Sequence, residues 1–221
     1  MNILIIGATR GIGFQLLEQA LRAGHTVTVL VRDPEKLGKE NERLKVIKGD
    51  ILDLSSVQQT MNGQDAVCCC IGVKPTRKPV TVFSLGSKNV LQAMAQSDVK
   101  KLISVTGIGA GDSRGHGGFL YDKIFQPLLL KTIYEDKDRE EAEIRASEFD
   151  WIIVRPGFLT NGPMLGQYRV LTDLAGIKAG KISRADVAHF ILEQLVSQSY
   201  LKQIPLITYS LSIILHIRSF N

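Results

Sequence analysis

The first residues of the chain constrain its fold more than any other segment. An apolar run at 3–6 (ILII) leads directly into a glycine-rich segment at 7–13 (GATRGIG), and a pattern of helical period begins near Gly11. Glycine takes backbone angles that other residues avoid, and it lets a helix lie close to the strand before it. We therefore expect a buried strand that turns through glycines into a helix, a unit typical of α/β domains.

Apolar runs of strand length and segments of helical period alternate along the rest of the chain. We predict strands near 2–6, 26–31, 44–48, 65–71, 100–106 and 150–155. Helices are predicted near 11–23, 54–61, 79–97, 128–148 and 184–197. Repeated βα units joined by right-handed crossovers build a parallel sheet with helices on both faces. The predicted fold class is thus α/β, a Rossmann-like doubly wound parallel sheet in a single domain spanning residues 1–209.

Composition agrees with an ordinary globular chain, since 44% of the 221 residues are hydrophobic and 22% are charged. Cys68, Cys69 and Cys70 are consecutive, which suits neither a disulfide framework nor a CxxC zinc site, so we expect buried, reduced thiols. The histidines lack metal spacing, and no metal site is predicted. The net charge of +5 is scattered along the chain rather than clustered with aromatics, so an anionic cofactor and substrate explain it as well as nucleic acid does, and a solvated surface explains it better still. No signal-peptide pattern precedes the first strand, so we expect a cytoplasmic protein.

Two segments interrupt the alternation. Residues 107–118 are dense in glycine and follow a predicted strand, where open sheets bind ligands, so they predict either a mobile loop over a site or a flexible surface connection. Residues 204–220 are strongly apolar, but they fall short of the ~20 apolar residues of a membrane span. We expect a strand near 205–209 and then an apolar extension, residues 210–221, that packs on the body or on another subunit rather than entering a membrane.

The glycine-rich turn has the character of an anion-binding site. Unpaired N–H groups and the helix dipole attract phosphate to a helix N-terminus, and absent Cβ atoms allow close approach. The spacing is GxxxGxG rather than the GxGxxG of the general fingerprint, but its place between a strand and a helix favours a dinucleotide. The cofactor-binding residues predicted here are Gly7, Thr9, Arg10, Gly11, Ile12 and Gly13.

The end of the second strand predicts which dinucleotide binds. Arg32 stands where an arginine accommodates the 2′-phosphate of NADP(H), and Arg10 reaches the same region. Asp33 follows directly, and an acidic residue at this place accepts the ribose 2′-hydroxyl of NAD(H), so a shift of one residue would exchange the two preferences. We predict NADP(H), with NAD(H) as one alternative and a solvated turn arginine without a binding role as the other.

Two further strand ends are expected at the same edge of the sheet. Asp50 and Ile51 follow the third strand, and Gly72 follows the fourth. We predict that Asp50 accepts a hydrogen bond from the adenine and that Gly72 lets the backbone pass close to the cofactor. Either residue serves equally well as a helix cap or a turn residue.

Taken in chain order, several segments resemble those of atypical short-chain dehydrogenase/reductases. These segments are GATRGIG at 7–13, VRD at 31–33, GD at 49–50, RPG at 155–157 and ISRADVA at 182–188. The similarity covers about residues 1–209 and is to the NAD(P)-binding NmrA-like group, which includes the biliverdin and flavin reductases. It implies a nicotinamide near the loops after the fourth, fifth and sixth strands, where Pro156, Gly157 and Phe158 would line its pocket.

The resemblance also implies a catalytic set, which this sequence matches only in part. Thr106 replaces the serine that follows the fifth strand, and Lys137, followed by Glu141, resembles the lysine and acidic pair of the next helix. Ile133 occupies the place of the family tyrosine, while Tyr134 is one residue too near and would point about 100° away on a helix. Tyr121 is expected in the preceding loop. The biliverdin and flavin reductases work without that tyrosine, because solvent supplies the proton.

The sequence therefore predicts an NADPH-dependent oxidoreductase that transfers hydride to a conjugated small-molecule acceptor, flavin-, quinone- or bilin-like. Thr106 and Lys137 are its predicted catalytic residues, and both also contact the cofactor. One alternative is a non-catalytic NADP(H)-binding redox sensor or assembly factor, which the misplaced tyrosine and the apolar tail favour. Another is a nucleotide-sugar epimerase or dehydratase, which normally needs the missing tyrosine. We expect a small-molecule substrate, no nucleic acid and no membrane, with oligomerisation through the C-terminal extension as an option.

Overall fold

The structure is a computed structural model that describes residues 1–210; the apolar extension predicted at 210–221 lies, apart from its first residue, outside the described part. In chain order the strands are β1 Asn2–Ile6, β2 Thr26–Val31, β3 Leu44–Lys48, β4 Ala66–Cys69, β5 Lys101–Val105, β6 Asp150–Pro156, β7 Phe158–Thr160, β8 Arg169–Leu171, β9 Lys181–Ser183 and β10 Leu206–Thr208. The α-helices are α1 Gly11–Arg22, α2 Leu54–Met61, α3 Val82–Ala95, α4 Lys131–Arg145 and α5 Arg184–Gln194. Short 3₁₀ turns form at Pro34–Leu37 and Gly111–Ser113, and a π-helical segment, Tyr121–Leu130, leads into α4.

Eight strands form one sheet in the order β3-β2-β1-β4-β5-β6-β10-β8, and β7 and β9 pair separately. The pairs from β3 to β10 are parallel, whereas β8 runs antiparallel to β10 at the edge. The order 3-2-1-4-5-6 is that of dinucleotide-binding sheets, with the crevice at the switch point between β1 and β4. The prediction of a Rossmann-like doubly wound sheet is confirmed.

Strand β1 shows why the sheet is covered on both faces. Ile3 and Ile5 belong to the core cluster that contains Leu16 of α1, whereas Leu4 and Ile6 belong to the cluster on the opposite face. Successive side chains of a strand point to opposite faces, so an unbroken apolar run is stable only when helices cover both sides. In open sheets covered in this way, ligands bind in the crevice outside the carboxyl ends of the strands.

The three cysteines lie where the sequence places them. Cys68 and Cys69 belong to β4, Cys70 follows it, and all three are buried and unpaired. Burial raises the pKa of each thiol, because a thiolate loses its hydration in the interior. These are structural residues rather than reactive thiols.

Several sequence predictions of local structure were wrong. Tyr121 does not lie in a loop, because the π-helical segment begins there and continues over an apolar stretch that contains Pro127. Proline lacks an N–H group and disturbs the regular hydrogen-bond ladder, so this part of the helix escapes a simple period of 3.6. The short strands β7, β8 and β9 were missed, since three residues carry no detectable alternation. The strand predicted near 205–209 is β10, and that prediction is confirmed.

The glycine-dense stretch at 107–118 is only in part a surface segment. Ile108, Ala110 and Ser113 are buried, and the Ser113 hydroxyl accepts a hydrogen bond from the Gly109 amide at 2.9 Å. The Gly111 amide donates to Asp138 of α4 at 2.7 Å. The first half of the stretch is thus packed into the molecule, whereas mobility of residues 114–118 stays a prediction.

Among the helices of residues 1–210, none combines the length and apolar character that crossing a bilayer requires.

Helix α3 takes its N-terminal cap from another helix. Asp136 of α4 is fully buried and accepts hydrogen bonds from the amides of Phe83, at 2.8 Å, and Ser84, at 3.4 Å. Asp136→Ala leaves these buried donors unpaired, so we expect the free energy of unfolding to fall by about 2–4 kcal/mol. Urea unfolding measures the loss. Asp136→Asn keeps an acceptor oxygen and should lose clearly less; equal losses would show that the cap contributes little.

Candidate functional site

Two positions in the turn after β1 are packed so closely that only glycine fits there. Gly7 has φ +93°, and a Cβ there would lie 2.7 Å from the carbonyl oxygen of Cys70. A Cβ on Gly13 would overlap the carbonyl oxygen of Gly7 itself. The first turn of α1 is therefore pressed against the end of β1, and the amides at the start of the helix are brought to the carboxyl edge of the sheet.

The N-terminus of α1 is uncapped. Arg10 is its N-cap residue, but no side chain caps the helix and its first turn holds no acidic residue. The Ile12 side chain is buried in the core, so only the backbone of Ile12 faces this end of the helix. The half-exposed Thr9 precedes Arg10 in the same turn. Unsatisfied amides, the helix dipole and a tight glycine turn fit the diphosphate of a dinucleotide.

Arg10 and Gly72 meet across the crevice between β1 and β4. The Arg10 guanidinium donates a hydrogen bond to the Gly72 carbonyl at 3.3 Å. A Cβ on Gly72 would meet nothing within 4 Å, so this residue borders open space. Contact between Gly72 and the cofactor stays a prediction.

The charges at the end of β2 favour a 2′-phosphate. Arg32 is exposed and forms no ion pair with any part of the chain that the structure describes. Asp33 pairs with Lys36 at 2.7 Å, and the hydrogen bond from Lys36 holds the pKa of Asp33 below its usual value. Asp33, which would favour NAD(H), is thus held in an ion pair. Arg32, which would favour NADP(H), has no ion-pair partner within residues 1–210.

Asp50 and Ile51 take turn and packing roles in the structure. One carboxylate oxygen of Asp50 accepts from the Leu52 amide at 3.0 Å and closes a turn. Ile51 is buried against Gly86 of α3, and its carbonyl accepts from the Asn89 side chain at 2.9 Å. Contact between these two residues and adenine stays a prediction.

Thr106 and Lys137 are brought together, but both polar groups point inward. The Thr106 hydroxyl donates to a carboxylate oxygen of Glu141 at 2.7 Å. Lys137 is buried, and its ammonium donates to the carbonyls of Thr106, at 2.7 Å, and Val105, at 3.3 Å, while it lies 4.4 Å from the centre of the Phe83 ring. Burial lowers the pKa of Lys137, and neighbouring carboxylates oppose that shift. Both residues fix the end of β5 from within, and their catalytic role stays a prediction.

A buried ion pair supports this end of the sheet. Arg155, only 2% exposed, donates from Nε to the same Glu141 oxygen at 3.0 Å and from Nη2 to the second oxygen. Its Nη1 pairs with Asp112, whose side chain is mostly exposed. Sequence reasoning missed this network, although an arginine inside an apolar strand is itself a signal for a buried carboxylate partner.

Two tyrosine hydroxyls meet beside the end of β5. The Tyr121 hydroxyl donates to the Ile108 carbonyl at 3.1 Å and lies 2.9 Å from the Tyr134 hydroxyl. Burial raises the pKa of both phenols, so they remain protonated and weakly acidic at neutral pH. The Tyr134 hydroxyl lies 3.3 Å from where Gly107 would carry a Cβ. The π-helical segment brings Tyr121 to a place that helical spacing alone does not predict.

The end of β6 is fixed by its neighbours. The Pro156 carbonyl accepts from the Ile108 amide at 3.1 Å, which joins this strand to the stretch after β5. A Cβ on Gly157 would overlap the Gly180 carbonyl oxygen, so this glycine is required by the packing of the chain on itself rather than by an opening for a ligand. The Phe158 ring packs edge-on against Tyr121, with centroids 5.1 Å apart. Contact between 156–158 and a nicotinamide stays a prediction.

These features define a dinucleotide-binding protein of the Rossmann type. A family model described as NAD(P)H-binding matches residues 7–198. The chain belongs to this NAD(P)H-binding family, which confirms the predicted resemblance to atypical short-chain dehydrogenase/reductases and the predicted cofactor class.

Curated relatives match over differing shares of their length. An uncharacterised chloroplastic protein of Arabidopsis thaliana, At2g34460, is 28% identical over 209 residues, which are 89% of this chain and 72% of that protein. The photosystem II assembly factor Ycf39 of Synechocystis is 24% identical over 77% of this chain, and the match spans 48% of Ycf39. For petunia cinnamoyl-CoA reductase 1 the identity is 32%, but the match spans 35% of that enzyme.

Solved structures share the fold. ChuY, an anaerobilin reductase of Escherichia coli O157:H7, superposes with a TM-score of 0.80 at 23% identity and covers 94% of this chain and 97% of its own. A short-chain dehydrogenase/reductase of Veillonella parvula in complex with NADP gives a TM-score of 0.78 at 18% identity, with 94% of each chain covered. This chain therefore shares the Rossmann-like fold of these structures.

Proposed function

We propose that the protein is an NADPH-dependent oxidoreductase that reduces a conjugated, flavin-, quinone- or bilin-like small molecule. The observation that carries the proposal is the state of the polar groups near the end of β5. The Lys137 ammonium donates to backbone carbonyls, and the Tyr121 and Tyr134 hydroxyls are hydrogen-bonded to each other, so Lys137 activates neither of these two tyrosines. Such a site can bind and orient its reactants but has no strong acid of its own.

Conjugated acceptors suit a site of this kind. The cofactor supplies a hydride when bound, and water supplies the proton, so the acceptor gains two electrons and two hydrogens overall. The chain is left with the tasks of holding both planar groups face to face and excluding bulk water. Thr106 and Lys137 act here as positioning residues, because they hold the end of β5 that would support the nicotinamide. Pro156, Gly157 and Phe158, at the end of the neighbouring strand β6, would also support the nicotinamide.

Exposed apolar side chains occur in two segments of the chain. The π-helical segment and the residues before it expose Phe119, Leu120 and Phe125, and the chain after β7 exposes Met164 and Leu165. We propose that these side chains contact a conjugated acceptor, because ligand sites are lined mainly by apolar side chains. ChuY has the same fold and is an anaerobilin reductase, which agrees with a bilin among the candidates.

Three further parts of the proposal come from the sequence: the domain bounds, the family group and the location. We propose that residues 1–209 form the whole cofactor-binding domain and that the protein belongs to the NmrA-like group. A cytoplasmic location is part of the same proposal.

Steady-state oxidation of NADPH with a panel of flavins, quinones and bilins tests the activity, with NADPH binding measured in parallel by fluorescence. We expect at least one acceptor to accelerate oxidation, and Tyr121→Phe to retain most of the rate, because solvent supplies the proton. If NADPH binds tightly and the whole panel leaves its oxidation unchanged, the oxidoreductase proposal fails. A rate that collapses in Tyr121→Phe would show instead that a phenol donates the proton.

A non-catalytic NADP(H) sensor or assembly factor is the second candidate. The relative Ycf39, a photosystem II assembly factor, favours it, and the hydrogen bonds of Thr106, Lys137 and the tyrosines are compatible with both candidates. Tight binding without turnover is its expected signature. A nucleotide-sugar epimerase or dehydratase is a third alternative, whose test is conversion of nucleotide sugars by the protein loaded with cofactor.

Arg32 provides the test of cofactor choice. Arg32→Ala removes a cation without an ion-pair partner in the described chain, so it should weaken NADPH binding by about 10- to 100-fold, as expected for a charge-assisted hydrogen bond. NADH lacks the 2′-phosphate, and its dissociation constant should change less than about fivefold, which corresponds to less than about 1 kcal/mol. Titration of both nucleotides gives the ratio, and equal losses would contradict the assignment.

A further inference from the structure

A groove of about 210 Å³ lies beside the N-terminus of α1, on the side that faces α5. Gly11 and Gln15 of α1 form one wall, and Asn161, Gly162 and Arg184 form the other. The sequence patterns gave Arg184 no role, since Ser183 and Asp186 on either side of it were expected to cap α5. The groove is thus an unassigned cleft directly against the predicted diphosphate site.

Arg184 brings an unneutralised positive charge to this groove. Its Nη1 donates to the side-chain oxygen of Asn161 at 2.7 Å, and it forms no ion pair within residues 1–210. Its Nε lies 3.9 Å from where a Cβ on Gly11 would be. Arg155, by contrast, is held by two carboxylates. A half-buried guanidinium with one neutral partner keeps most of its donors for a ligand.

The two helices that meet at the groove differ in how their N-termini are satisfied. The Ser183 hydroxyl caps α5 by accepting from the Asp186 amide at 2.9 Å, and Asp186 adds an acidic residue to the first turn. Helix α1 has neither a side-chain cap nor an acidic residue at its start. The open N-terminus therefore belongs to α1, and Arg184 reaches toward it from a helix that needs no anion of its own.

We propose that Arg184 binds the diphosphate of the nicotinamide cofactor and closes that site from the α5 side, opposite Arg10. Asn161 orients the guanidinium, and the missing side chain of Gly11 leaves the space between α1 and Arg184. The inference rests on the proposed binding of the cofactor at α1. Because NADPH and NADH share the diphosphate, Arg184 contributes equally to both, whereas Arg32 discriminates between them.

The test compares Arg184→Ala with Arg32→Ala in the full chain by calorimetric titration. Arg184→Ala should weaken NADPH and NADH by the same factor, about 10- to 100-fold, because one charge-assisted contact is lost. Adenosine 2′-monophosphate lacks a diphosphate, so its affinity should be unchanged in Arg184→Ala and reduced in Arg32→Ala. Arg184→Lys keeps the charge and should recover part of the loss. Urea unfolding without nucleotide should give the parent stability, since the side chain has one neutral partner.

The outcomes separate this inference from the proposed function. If the parent binds neither nucleotide, the proposed function itself fails. Unchanged NADPH and NADH affinities in Arg184→Ala, with the Arg32→Ala effect intact, would overturn only the role of Arg184. A normal NADPH affinity with a raised KM for an anionic acceptor would also overturn it, because Arg184 would then serve the acceptor instead of the diphosphate.

Discussion

Glu141→Ala is expected to lower the free energy of unfolding by about 3–5 kcal/mol, the cost of leaving a buried charge without its partner. Arg155 is 2% exposed and makes two hydrogen bonds to this carboxylate, and the Thr106 hydroxyl makes another. The alanine variant keeps the guanidinium inside the protein with only the solvent-facing Asp112 to balance it. Urea unfolding at neutral pH measures the change.

Two control variants separate the ion pair from general packing. Asp112→Ala removes the exposed partner of Arg155 and should cost about 1 kcal/mol or less, as surface pairs do. The double variant Glu141→Leu with Arg155→Met replaces both charges by apolar groups and should be more stable than Glu141→Ala, because no buried charge remains unpaired. If the double variant is as unstable as the single one, the loss comes from packing around α4 rather than from the charge.

Gly13→Ala is expected to weaken NADPH binding by about 100-fold or more, which corresponds to the loss of at least two charge-assisted hydrogen bonds. The new Cβ would overlap the Gly7 carbonyl oxygen, and a backbone atom cannot rotate away as a side chain can. The turn and the first amides of α1 must shift together. We also expect the free energy of unfolding to fall by about 1–3 kcal/mol through overpacking.

Gly72→Ala is the control for stability. Its Cβ would enter open space, so the free energy of unfolding should stay at the parent value. Urea unfolding of the parent and both variants separates overpacking of the turn from a general effect of an added methyl group. NADPH titration compares Gly13→Ala with the parent, because Gly72 is itself a predicted cofactor-binding residue. A Gly13→Ala protein that binds NADPH normally would contradict the placement of the diphosphate at α1.

The parts of the fold that were predictable rest on local patterns. The apolar run at 3–6 with its glycine turn, and the alternation that follows, gave the strands of the parallel sheet because burial on both faces leaves an unmistakable signal. Arg32 could be located for a similar reason, since it directly follows the apolar strand β2. These features need no knowledge of which segments lie next to each other.

The rest of the candidate site depends on distant contacts. Asp136 caps a helix more than fifty residues away in the chain. Arg155 meets Glu141 only because α4 packs against the sheet beside β5 and β6. Nothing in the local pattern distinguishes these carboxylates from solvated ones on a charged helix. Likewise, the spacing of Tyr134 from Lys137 argued against a catalytic role for Tyr134. The π-helical segment places a second phenol, that of Tyr121, beside it, and the helical spacing does not predict this contact. Side-chain roles of this kind follow from the tertiary structure alone.

The Asp136 cap also limits how the molecule can adapt to ligands of different size. Since a residue of α4 holds the first amides of α3, the two helices form one stiff unit, and its displacement would break buried hydrogen bonds. Adjustment to a bulkier ligand is therefore expected in residues 118–120 and 162–164. Their flanking residues are tied down, because Arg114 and His116 bond to Asp138 and Ile177, and the amides of Leu165 and Gly166 donate to Asp186. Selection for a new ligand should act on those two short stretches and spare the helices behind them.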